Sequence, residues 1–150
     1  MIDPRTIIVC VSRPLFAHSV HDRRAGEVVD AARRHGHDAT VVSLPCSSEG
    51  AAPDQDDALS WALVDLADLG TGRTVDAVVC VEPNALFVHH PRKVAWLSPG
   101  WQGDERVQRA LRIGRPSEAP PQIMGSGADA DDVIVAITVG AQGHRPDSSR

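Results

Sequence analysis

Residues 6–11 read TIIVCV and residues 76–81 read DAVVCV. Neither run alternates between apolar and polar side chains. A strand that is apolar on both faces is satisfied only inside a parallel sheet with layers above and below it. Between them, Ala25, Val28, Val29 and Ala32 repeat with the i, i+3, i+4, i+7 spacing of a helix that buries one stripe. Asp22 is placed to cap the start of that helix and Gly36 to end it.

The same reading extends along the chain. Residues 39–44 (ATVVSL) form a second strand stopped by Pro45. Residues 57–69 form a helix with Leu59, Ala62, Leu63, Leu66 and Leu69 on one face. A short helix starts at Pro83, because proline suits a first turn. Residues 93–97 (KVAWL) form a fourth strand, residues 104–113 a helix, residues 114–130 a loop, and residues 132–139 a fifth strand. Alternating strands and helices predict an α/β fold with a single Rossmann-like, doubly wound parallel sheet of about five strands. Right-handed crossovers favour the order 2-1-3-4-5. Residues 1–140 make this domain and residues 141–150 a disordered tail.

Composition narrows the function. The chain has 150 residues, 42% hydrophobic and 23% charged, with a net charge of -5. An acidic balance and five aromatics, none of them tyrosine, argue against nucleic-acid binding. No apolar stretch is long enough for a transmembrane helix, and three cysteines without CxxC spacing point to reduced thiols in the cytoplasm. Neither GxGxxG nor a Walker A loop occurs, so no nucleotide cofactor is expected, and no metal site either.

Ligands of open parallel sheets bind where the chain order reverses, at the carboxyl ends of the strands. That places residues 12–21 and 81–84 at the mouth of any site, with residues 98–102 nearby. The candidates there are His18 and His21, as a base or ligands or simply solvated; Glu82, after the third strand; and Trp101, able to stack on a sugar or a partner. Catalytic residues are not assigned. His35 and His37 flank the helix end and are structural, Cys10 and Cys80 are core, and Asp129, Asp131 and Asp132 form a solvated acidic loop.

Several phrases resemble the acceptor-side, N-terminal domain of GT-B glycosyltransferases of the GT4 type. They are Ser60-Trp61-Ala62-Leu63-Val64-Asp65-Leu66, residues 76–83 and His90-Pro91-Arg92-Lys93-Val94-Ala95-Trp96-Leu97. Residues 34–45 (RHGHDATVVSLP) are similar to a further phrase of that family. The match runs in order over about residues 5–102. The resemblance implies a domain that binds an acceptor and faces a second, donor-binding domain. It also has departures. Ala17-His18-Ser19-Val20 stands where the family carries a Gly-Gly pair, and Pro99-Gly100-Trp101-Gln102 where it carries HQHR. The donor-binding domain has no counterpart in residues 103–150.

Three readings stay open: a partial glycosyltransferase domain inactive by itself, a non-catalytic interaction module, or a small enzyme using His18, His21 or Glu82. The first two call for a partner, either a separate donor-binding chain or a second copy, meeting a rim that includes Leu15, Phe16 and Trp101.

Overall fold

In the computed structural model of the protein, residues 3–14, 21–46, 55–66, 73–98, 105–112, 121–125 and 127–142 are described. Five strands, β1 (Thr6–Pro14), β2 (Asp38–Cys46), β3 (Ala77–Cys80), β4 (Lys93–Ala95) and β5 (Gln122–Ile123), form one sheet in the order β2-β1-β3-β4-β5. Every pairing is parallel. The architecture expected from the sequence is the one observed.

The central strands are buried as their composition demands. Ile7, Val9, Val11, Val79 and Val81 pack on one face with helices α1 (Asp22–Arg34) and α4 (Ala130–Gln142). Ile8, Cys10, Val78 and Cys80 pack on the other, with Trp61 of α2 (Gln55–Ala62) and Val107 of α3 (Glu105–Arg112). Alternate residues of one strand thus feed two cores.

Gly36 takes φ +83°, the left-handed geometry that closes α1, and the His37 N–H returns to Ala32 O at 2.9 Å. At the other end of α1 the cap position belongs to His21, not Asp22. Asp22 is the first helical residue, and it pairs with Arg13 at 3.0 Å.

The expected fifth strand is a correction. Residues 132–139 lie inside α4, and β5 comes from the segment read as loop. The β-branched run VIVAITV has strand propensity, yet its buried members Val133, Ile134 and Ile137, with Ala130 before them, follow a helical spacing. The start of α4 is fixed by a reciprocal pair of bonds, Asp132 N–H to Asp129 Oδ1 at 2.9 Å and Asp129 N–H to Asp132 Oδ2 at 3.0 Å. Asp131 joins Arg34 at 3.2 Å and His35 at 3.0 Å, tying α4 to the end of α1. The acidic run therefore builds structure instead of lying in a solvated loop.

Other boundaries shift for local reasons. Helix α2 ends at Ala62, so Leu59 and Leu63 are exposed rather than on a buried face, and Trp61 is the anchor. Beyond it the chain extends, and Asp65 forms a parallel bridge with His89. Strand β2 runs through Pro45 because an edge strand tolerates a missing N–H. Of the expected tail, residues 141 and 142 belong to α4; the rest lies outside the described residues.

Candidate functional site

The carboxyl ends of β1 and β3 meet at the switch point, and a buried polar chain joins them. The Trp61 indole N–H donates to Ser12 Oγ at 2.8 Å, and the Ser12 hydroxyl donates to Glu82 Oε1 at 2.6 Å. Glu82 also accepts the N–H groups of Asn84 (Oε2, 3.2 Å) and Ala85 (Oε1, 3.1 Å). These donors hold the start of a 3₁₀ turn, Pro83–Phe87.

Burial raises the Glu82 pKa above its ordinary 4.5, and hydrogen bonds from Ser12, Asn84 and Ala85 oppose that rise. The 2.6 Å contact and the N–H groups aimed at both oxygens suit the ionised carboxylate. The group is sealed at 4% exposure. Its bonds to Ser12, Asn84 and Ala85 are structural, and Ser12 is held between Trp61 and Glu82. This arrangement fixes the ends of two strands and commits both Ser12 and Glu82 to bonds within the fold.

The other end of the same turn is held by Lys93, the only lysine. Its Nζ donates to Leu86 O at 2.8 Å and Val88 O at 2.9 Å from a buried position on β4. Beneath the turn, Cys80 Sγ donates to Ala85 O at 3.4 Å. Burial pushes the Cys80 thiol up to about 12 and raises Cys10 well above its ordinary value, the latter helped by neighbouring Cys80 and Glu82. Both thiols are inert packing groups, as expected from the sequence.

His21 lies half-buried at the amino end of α1, in the mouth. Burial, followed by the Arg24 cation, lowers its pKa, with Asp22 opposing. Arg24 itself lies 4.3 Å over the Trp96 ring and reaches Trp96 O at 3.5 Å. Trp96 is core, its indole N–H donating to Ala128 O at 3.1 Å. His18 and Trp101, and the rim residues Leu15 and Phe16, lie outside the described residues.

His37 and His90 lie away from the mouth, each bonded locally. His37 Nδ1 accepts the Arg5 N–H at 3.1 Å. His90 Nδ1 accepts the Arg92 N–H at 3.0 Å while Nε2 lies 2.9 Å from Val75 O, so the ring proton sits on Nε2. Among the described residues, no group of three or more His, Cys, Asp or Glu is placed to hold a metal ion, and no helix is long and apolar enough to cross a membrane.

Sequence reading placed Glu82 at the switch point but missed Trp61, which bonds its partner Ser12, and Lys93, which holds the far end of the turn. A signal for Lys93 was present: a single lysine opening an otherwise apolar strand has to satisfy its amine locally. Fold and site define a single-sheet, Rossmann-like α/β domain. Comparison with protein-family models, characterised proteins and solved structures returns no match.

Proposed function

We propose that this chain is an acceptor-side domain of a GT-B-type glycosyltransferase, partial or degenerate, which binds an acceptor or a partner chain and has no transfer activity by itself. One observation carries the reading: three of the four phrases that resemble the family meet at one place. Trp61, from residues 60–66, donates to Ser12; Glu82, from residues 76–83, accepts from Ser12; Lys93, from residues 90–97, holds the far end of the turn that Glu82 begins. Phrases retained only for local propensity have no reason to converge.

The chemistry of the site favours binding. Glu82 and Ser12 are committed to each other and to the backbone. In a glycosyltransferase of this type the donor diphosphate would be held by a second domain or chain. Binding energy that is absent cannot orient a donor or stabilise its transition state. The purified chain, incubated with UDP-glucose or GDP-mannose, should release no nucleotide above the rate in buffer; release that scales with protein concentration overturns the reading.

A second reading, a non-catalytic interaction module on the same fold, draws on α4. Val135 and Val139, one turn apart, are 50% and 61% exposed, while Val133, Ile134 and Ile137 are buried. That face would meet a partner chain or a second copy.

A further inference from the structure

Helix α4 carries two stripes. Ala130, Val133, Ile134 and Ile137 face the core. Asp132, Val135, Ala136 and Val139 repeat the same i, i+3, i+4, i+7 spacing on the outer side, where Val135 and Val139 are exposed. Thr138 turns its hydroxyl back to Ile134 O of the same helix at 3.0 Å. The neighbouring α1 shows the usual contrast, with Arg23, Glu27, Asp30, Arg33 and Arg34 exposed on its outer side. A helix that is apolar all round is ordinarily buried all round. After Asp132, α4 has that composition and is covered on one side.

The helix is also held firmly from behind. Arg34 and His35 bond Asp131 at 3.2 and 3.0 Å, and Arg92 Nη2 donates to Ile137 O at 2.7 Å. A face fixed in this way loses little freedom on docking. Residues 143–150, GHRPDSSR, follow α4 in the sequence and hold no Leu, Ile, Val, Met, Phe or Trp, so this stretch brings no apolar cover. Charge order selects the occupant. Asp129, Asp131 and Asp132 make the start of α4 acidic, residues 133–142 carry no charge, and the next ionisable residues are His144 and Arg145. An antiparallel copy directs its acidic start toward the basic sequence beyond the first helix and opposes the two helix dipoles. A parallel copy would set the three aspartates beside their equivalents.

We infer that α4 is a self-association face: two copies of the chain pair antiparallel about a two-fold axis, Val135 of each against Val139 of the other. A two-fold contact uses the same patch on both copies, as this stripe requires. One stripe is smaller than the roughly 800 Å² per partner of a standard interface, so the dimer is weak and forms as concentration rises. The inference rests on the interaction-module reading, whose partner it names, and is independent of acceptor binding.

The test is sedimentation equilibrium of the full chain from about 5 μM to about 1 mM, for the wild type and for Val135→Lys and Val139→Asp, separately and mixed. The wild type should pass from monomer to dimer mass with a Kd on the order of 100 μM. Each variant by itself should associate about tenfold or more weakly, because a charge enters an apolar contact without a counter-charge. Their equimolar mixture should associate about tenfold more tightly than either variant, since antiparallel pairing sets the new amine against the new carboxylate. In dilute solution both variants should melt within about 2 °C of the wild type; a large fall there would place the stripe inside the fold and overturn the proposal. A wild type that stays monomeric throughout overturns the second copy as partner and leaves the face to a different chain. A dimer that neither variant weakens lies elsewhere and overturns both this proposal and the reading of α4 as an interaction face. Weakened variants that do not rescue each other overturn the antiparallel pairing.

Discussion

Glu82 and Lys93 close opposite ends of one 3₁₀ turn: the carboxylate accepts the N–H groups of Asn84 and Ala85 at its start, and the amine donates to Leu86 O and Val88 O at its finish. Each charge lies where the turn's unpaired backbone groups call for it. Glu82 also reaches across to Ser12 on β1, and Lys93 is part of β4. The pair therefore fixes the surface at the switch point from two strands at once.

Removing the carboxylate orphans three buried donors. Glu82→Ala should destabilise the fold by about 3 kcal/mol, read as a lower denaturant midpoint with an unchanged slope. A change within about 0.5 kcal/mol would mean that water replaces the carboxylate freely and that the turn does not depend on it.

Lys93 makes a labelling prediction. It is the only side-chain amine in the sequence, and it is buried at 8% exposure with two carbonyl partners. An amine-acylating reagent should leave position 93 unmodified in the native chain and modify it fully in urea, as read by peptide mass. Native acylation at the unfolded rate would contradict its place under the turn.

Substitutions in α4 separate helix from strand. Along a strand, Val135 and Ile137 would share a face; in α4 Ile137 is 1% exposed and Val135 50%. Ile137→Ala should cost about 3 kcal/mol, and Val135→Lys should change stability by less than about 0.5 kcal/mol. Similar large losses at both positions would restore the strand.

How far the fold was legible follows from such positions. The buried runs on β1 and β3 could be read directly, since two apolar faces admit one environment. The stretch after Asp132 could not be read by propensity, because its β-branched residues favour strand while their spacing and the Asp129–Asp132 cap favour helix. Packing of Val133, Ile134 and Ile137 against α1 decided it. At the site, Glu82 was legible from its place after β3. Its partners were not, for the Ser12–Glu82 contact spans 70 residues of sequence and Trp61 reads as ordinary core.

His37 gives stability a pH dependence of definite sign. Burial, then His35 and Arg5, lower its pKa from 6.5, with Asp76 opposing, and Nδ1 must be unprotonated to accept the Arg5 N–H. A folded value below the unfolded one means that its contribution is complete above about pH 6.5 and is lost as pH falls through the lowered value. The pKa of His21 is lowered too and acts in the same direction. Tm should therefore drop between about pH 7 and about pH 5, and His37→Gln should remove part of that drop. An identical pH profile in wild type and variant would contradict the role given to His37.

The most direct measurement is a titration of the ¹⁵N-labelled wild-type chain with methyl α-glucopyranoside and methyl α-mannopyranoside, followed by backbone amide shifts. Binding at the switch point predicts saturable shifts centred on Ser12 and Arg13, on residues 81–85 and on residues 96–98, at the carboxyl ends of β1, β3 and β4. Absence of saturable shifts, or shifts centred instead on α4 around Val135 and Val139, would contradict it.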